Sequence, residues 1–186
     1  MFIEKGLNDY LKNNPANEII IGESGFGTGL NALLTLLYAR RNRIKIHYQT
    51  YEKYPLSPEI IKQLAEMFTD EEKKFFLKIH EANWEEKTSI TEYFEIEKIQ
   101  KDFVRISAKD LWHVHYYDAF SPRVQPGLWE KPVLKRIYEG LRAGGFFVTY
   151  SAKGSVRRNL IDLGFEVEKL AGPPGKREML RARKPN

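Results

Sequence analysis

The sequence predicts an α/β fold: a mixed, mostly parallel sheet with helices on both faces and a C-terminal β-hairpin. Three observations predict it. Runs rich in β-branched and aromatic residues alternate with runs of helical periodicity, the pattern of parallel strands joined by helical crossovers. A glycine-rich turn, GFGTG, joins the first such strand to the first such helix. Near the C-terminus FEVEKL and REMLRAR read as two strands joined through AGPPGK, a hairpin that makes at least one edge strand antiparallel.

Each element has its own signal. EIII, from Glu18, is a short buried strand ending at Gly22. Leu30, Leu33, Leu34 and Leu37 then recur at helical spacing, so a helix starts near Thr28. IKIHYQTYE is the second strand and ends in Glu52. At Ser57-Pro58-Glu59 a serine caps, a proline suits the first helical position and an acid meets the positive helix end. Ile60, Ile61, Leu64 and Phe68 give that helix its apolar stripe. Residues 70–92 are charged and read as helical or irregular. The alternation Tyr93-Phe94-Glu95-Ile96 signals a third strand, and HVHYYDAF a fourth, followed by the proline-rich turn SPRVQPGLW. Leu134, Ile137, Tyr138 and Leu141 mark a helix stopped by Gly144-Gly145. FFVTYS is a strand, and GSVRRNLIDLG a helix with Gly164 as its stop. No repeat, low-complexity tract or linker interrupts the pattern, so residues 1–186 are read as one domain.

Composition narrows the chemistry. The chain has 186 residues with 42% hydrophobic and 13% aromatic side chains, enough for a full core. There is no signal-peptide pattern and no apolar run long enough for a bilayer, so a soluble cytoplasmic protein is expected. The absence of cysteine excludes disulfides, thiolate metal sites and a catalytic thiolate. His47, His80, His113 and His115 are scattered. His113 and His115 would share one strand face, but no third ligand lies nearby, and no metal site is expected. Charge is uneven: residues 1–130 sum to −3 and residues 131–186 to +8, so the C-terminal third suits a polyanion.

The glycine turn carries the strongest functional signal. Gly25, Gly27 and Gly29 permit a tight turn and close approach of a ligand to the backbone, and the helix that follows offers free N–H groups. The dinucleotide form of this turn is GxGxxG and receives a pyrophosphate. Here the spacing is GxGxG and Glu23 stands in front of it. A carboxylate there repels a diphosphate and attracts a cation such as the ammonium of an amino acid. Glu52, at the end of the next strand, stands where an acid accepts hydrogen bonds from ribose hydroxyls. Ammonium, close approach and ribose together describe S-adenosylmethionine (SAM). Asp102, after the third strand, is a candidate for the adenine amino group. Phe26, Asn31, Lys53 and Phe103, which flank these positions, complete the set of cofactor candidates.

GESGFGTGLN, YEKYPL, YYDAFSPRVQPGLW, YSAKGSVRRNLIDLGF and GKREML occur in order between about Ile20 and Leu180. In these blocks the chain resembles the MnmC methyltransferase-domain/MnmD family of tRNA-modifying enzymes. Residues 57–98 resemble it least, RVQP replaces a more usual Lys-Asn-Pro, and the chain begins almost at the first strand. The resemblance implies a Rossmann-like class I SAM-dependent methyltransferase without the family's flavin oxidase domain. It implies as substrate the 5-aminomethyl-(2-thio)uridine at position 34 in the anticodon stem-loop of tRNA. Asp118, at the carboxyl end of a strand, is then the candidate to hold the amine and take its proton. Phe120 is the candidate to stack on an unstacked base, with Trp129 packed against the sheet. Arg123, Arg157, Arg158, Lys176 and Arg177 are candidates for phosphate contacts. Other readings stay open on the residues alone: a methyltransferase for a small-molecule amine, a non-catalytic RNA-binding module and, more remotely, a dinucleotide oxidoreductase.

Overall fold

The computed structural model describes residues 1–172, 175 and 177–186. Its strands are β1 (Glu18–Ser24), β2 (Lys45–Tyr51), β3 (Lys87–Thr91), β4 (Phe94–Ile99), β5 (Trp112–Tyr117), β6 (Leu141–Thr149), β7 (Glu166–Ala171) and β8 (Glu178–Arg183). They form one sheet of eight strands in the order β3-β4-β2-β1-β5-β6-β8-β7. The run β4-β2-β1-β5-β6 is parallel. β3, β8 and β7 pair antiparallel. The predicted mixed sheet and its terminal hairpin are present.

Two apolar layers cover the sheet. Ile19 and Ile21 of β1 point into one core and Ile20 packs against the other, the period-2 alternation of a strand buried on both faces. The first layer contains α2 (Leu30–Asn42), α3 (Pro58–Ala65) and α4 (Asp70–Glu81), and the second contains α5 (Lys131–Gly140) and α6 (Gly154–Asp162). α3 begins as its sequence requires, with Ser57 as cap and Pro58 in the first turn. α4 opens on a capping box between Thr69 and Glu72. Among the described residues no helix is long and apolar enough to cross a membrane.

The chain departs from the sequence pattern in several places: β1 runs on past Gly22 to Ser24, and α3 ends at Ala65, so that Phe68 lies beyond the helix whose stripe it was expected to complete. Residues 1–17, which carry no clear pattern, contain a wide helical turn, Phe2–Asn8, that runs into α1 (Asp9–Asn13). Phe2, Leu7, Tyr10 and Leu11 of this segment are buried in the first core. The charged stretch 70–92 divides into α4 and the extra edge strand β3. α2 starts at Leu30, because Gly29, with φ +74°, is still outside the helix. α5 ends at Gly140, ahead of Gly144-Gly145. Gly140 lies against the Trp112 indole, which a Cβ at that position would approach to 2.2 Å. Finally, His113 and His115 do not share a face. The ladder between β5 and β6 is irregular between Trp112 and Val114. His113 therefore meets Tyr10 of the first core, while His115 packs on Trp112 of the second, with ring centroids 4.5 Å apart.

Candidate active site

The strand order reverses between β1 and β5, and open α/β sheets bind ligands at the carboxyl ends of the strands at such a reversal. A cleft of about 830 Å³ opens there. Gly25, Gly27, Asn31, Glu52, Lys53, Asp102, Phe103, Asp118 and Phe120 line it.

The glycine turn has the geometry its residues allow. Gly25 has φ +91°, and a Cβ on it would lie 3.0 Å from the Asp118 carbonyl oxygen. The absence of a side chain thus lets the end of β1 meet the end of β5. The N–H groups of Gly25 and Phe26 donate to the Tyr51 carbonyl, at 3.0 and 3.2 Å. Gly27 faces open space, so its backbone is bare toward the cleft. Its N–H donates to Glu52 Oε2 at 3.0 Å, and the Tyr54 N–H donates to Oε1 at 2.9 Å. Two backbone amides therefore orient Glu52 and leave lone pairs for further donors such as a diol. Asp102 accepts from the Val104 N–H at 3.2 Å and pairs with Lys53 at 3.1 Å. Phe103 packs edge-on against Tyr117 beside it.

Glu23 sits differently from its expected place. It is fully buried and does not line the cleft. Oε1 accepts from Asn31 Nδ2 at 3.0 Å and Oε2 from Thr50 Oγ1 at 2.7 Å. Burial pushes its pKa up to about 8, and the nearby Asp118 charge adds to the rise. The side-chain amide of Asn31 also donates to Asp118 Oδ2 at 3.0 Å. One amide thus bridges a buried acid and an exposed one. The carboxylate that faces the cleft beside the glycine turn is Asp118, and Glu23 stands behind Asn31.

The loop after β5 is held by two side chains that follow it in the chain. The Tyr150 hydroxyl donates to the Ala119 carbonyl at 2.8 Å, and Trp129 Nε1 donates to the Phe120 carbonyl at 2.8 Å. Trp129 is buried, whereas Phe120 is 68% exposed at the cleft. Tyr54, Leu128 and Tyr150 also line the cleft. They lie in the blocks YEKYPL, YYDAFSPRVQPGLW and YSAKGSVRRNLIDLGF, but the sequence reading gives none of them a role of its own. Phe26 lines the cleft but is itself packed into the core.

The basic candidates separate. Arg123 and Arg177 line a second groove of about 650 Å³ together with Lys153, which the sequence pattern did not single out. This groove shares Ser121 and Tyr150 with the cleft. Arg157 and Arg158, on α6, line neither. Lys176 lies outside the described residues.

These residues fit SAM. Bare backbone at Gly27 permits close approach, Glu52 presents acceptors for a ribose, and Phe103, Val104 and Leu128 supply an apolar wall. Residues 45–185 match the model of a family described as S-adenosyl-L-methionine-dependent methyltransferase. A relative from Campylobacter hominis, tRNA 5-methylaminomethyl-2-thiouridine biosynthesis bifunctional protein MnmC, is 31% identical over 95% of this chain and 27% of its own length. The protein of the same name from a Marinomonas species is 29% identical over 95% of this chain and 30% of its own length. The chain thus spans less than a third of these relatives. Among solved structures, MNMC2 from Aquifex aeolicus has a TM-score of 0.71 at 25% identity, covering 95% of this chain and 58% of that one. A SAM-dependent O-methyltransferase from Thermotoga maritima has a TM-score of 0.58 at 15% identity, covering 98% of this chain and 65% of that one, and shares the fold alone. With the family's match extending from the second strand to beyond the last, the chain belongs to the S-adenosyl-L-methionine-dependent methyltransferases.

Proposed function

We propose that the protein methylates the exocyclic amine of 5-aminomethyl-(2-thio)uridine at position 34 of tRNA, giving the 5-methylaminomethyl base. The carrying observation is Asp118: an exposed carboxylate at the end of β5, in the cleft, beside the glycine turn. The names of the relatives supply the substrate class, and a cytoplasmic location follows from it.

When bound, SAM supplies a methyl group activated by its sulfonium. Gly25, Gly27, Glu52, Lys53, Asp102 and Phe103 would hold it from the cleft wall. Glu23 would act through Asn31, whose amide it orients. The chain must then present a neutral amine, since an ammonium has no lone pair. Asp118 holds the nitrogen in line and takes the proton that it loses on methylation, directly or through water. Asn31 fixes that carboxylate, and Phe120 offers an exposed face on which the unstacked uracil rests. Alignment supplies about 7–11 kcal/mol in such reactions, while a general base adds about 10²–10⁴-fold.

The test is nucleoside mass spectrometry of tRNA lacking the final methyl, after incubation with the purified protein and SAM. The methylaminomethyl nucleoside is expected, and Asp118→Asn should slow its formation by about 10²–10⁴-fold. SAM binding without any such nucleoside would overturn the assignment in favour of a small-molecule amine.

A further inference from the structure

The glycine turn is braced from a part of the chain that no motif covers. His80 closes α4, in the segment that resembles the tRNA-modifying family least. Its Nε2 lies 3.1 Å from the Thr28 carbonyl oxygen, inside the turn. A carbonyl only accepts, so Nε2 carries the proton. The imidazole is packed between Phe76 and Phe26, with ring centroids at 4.5 and 5.2 Å. From the sheet side, buried Lys98 of β4 donates from Nζ to the His80 carbonyl at 2.6 Å. The same ammonium stands 5.0 Å from the Trp84 ring centroid. A chain of two hydrogen bonds therefore runs from the sheet, through the end of a helix, to the tip of the turn.

Gly29 supports the same conclusion. A Cβ at Gly29 would lie 2.9 Å from His80 Nε2 and 3.0 Å from the Phe26 ring. The third glycine is therefore needed for the imidazole as well as for its own φ of +74°. With the Thr28 carbonyl held toward His80, the Gly29 N–H donates to the Phe26 carbonyl at 2.9 Å. That peptide plane is fixed at both ends. If it turned over, the Thr28 carbonyl would face the Phe26 carbonyl and the Gly29 N–H would face the protonated Nε2, so both bonds would be lost and the turn would have to change shape. Burial holds His80 neutral down to about pH 4, so one donor and one tautomer serve across the working range.

We propose that His80 is a positioning residue for cofactor binding, which keeps the glycine turn in its SAM-receiving shape through the hydrogen bond to Thr28. It does not line the cleft, and the proposal is independent of which amine is methylated.

Calorimetric titration with SAM tests it, using His80→Phe and His80→Gln. Phenylalanine keeps the ring stacking and removes the donor, so its Kd for SAM should rise about three- to tenfold. Glutamine keeps an N–H donor and should stay within about twofold of the wild type. Amide hydrogen exchange at residues 27–30 should quicken in the phenylalanine variant and not in the glutamine one. Wild-type affinity in His80→Phe would overturn the proposal, because stacking alone would then suffice. Should His80→Phe fail to fold, His80→Gln decides: wild-type affinity supports the proposal, and a tenfold loss at unchanged melting temperature sinks it.

Discussion

Glu23 shows how far one residue can depart from its motif. Its place before the glycine turn suggests a charge aimed at a ligand. In the fold it is shut behind Asn31 and Thr50, with a pKa pushed up to about 8 by burial. The consequence is a stability that depends on pH with a definite sign. The unfolded chain releases this proton near 4.5 and the folded chain near 8. Between those values folding takes up a proton, so stability falls as pH rises and levels off above about 8. His80, His113 and His115 are held below their ordinary 6.5 by burial. They act in the opposite sense and only below about pH 6.5. Buried Lys98, held down to about 8, acts only above that value. From about pH 6.5 to 8 Glu23 therefore dominates. Urea unfolding of the protein without cofactor should show stability declining across this window, and Glu23→Gln should remove the decline. An unchanged slope in Glu23→Gln would show that the acid is not protonated in the fold.

At the scale of elements, local signals were legible and distant ones were not. The glycine turn, the Ser57-Pro58 cap and the terminal hairpin are written in neighbouring residues, and the fold uses them. The first helical segment is different. Phe2, Leu7, Tyr10 and Leu11 have no clean period, and what buries them lies far along the chain: Phe2 meets Tyr116, and Tyr10 meets Phe146. Arg181 closes over the segment, donating to the Lys5 carbonyl at 2.8 Å and to Asp9 at 2.7 Å. β3 hides for a related reason, since KTSIT is identified by its pairing with β4 rather than by an apolar pattern. The face reversal of His113 and His115 arises from an irregular ladder that spacing cannot report. In the cleft, the glycines stand out in the sequence because a tight turn demands them and Glu52 because it ends a strand, whereas His80 comes to the turn only through the folded chain. Leu7, wholly buried between this segment and the sheet, tests whether the segment is part of the folding unit. Leu7→Ala should cost about 2–5 kcal/mol in denaturant unfolding, the usual loss for a buried leucine. A cost of a few tenths would mean that the segment frays without consequence.

Across the whole molecule, the charge surplus of the C-terminal third resolves into paired and unpaired cations. Lys131 pairs with Asp162, Lys169 with Glu178, Arg181 with Asp9 and Glu168, Arg183 with Glu166 and Lys184 with Asp110. These charges are largely spent within the fold. Arg123, Lys153 and Arg177 line the second groove and have no carboxylate partner among the described residues. Glu178, the acid on the same groove, is taken by Lys169 at 2.9 Å. The groove meets the reaction cleft at Ser121 and Tyr150, so a polyanion with one nucleotide in the cleft would run its backbone over the unpaired cations. Neutralising phosphates releases counterions, which gives log K a slope against log salt of about −0.7 per contact on a single strand. Substituting Arg123, Lys153 and Arg177 together by Gln should therefore flatten the slope for tRNA by about 2, weaken binding at low salt and leave the SAM affinity unchanged. Arg158→Gln, on a helix outside both openings, should leave the slope close to its original value. Filter binding from about 50 to 200 mM salt measures all three proteins over a range in which such slopes are resolved. A triple variant whose slope matches the wild type would place the RNA on another face, and a flattened slope in Arg158→Gln would place it on the face that carries α6.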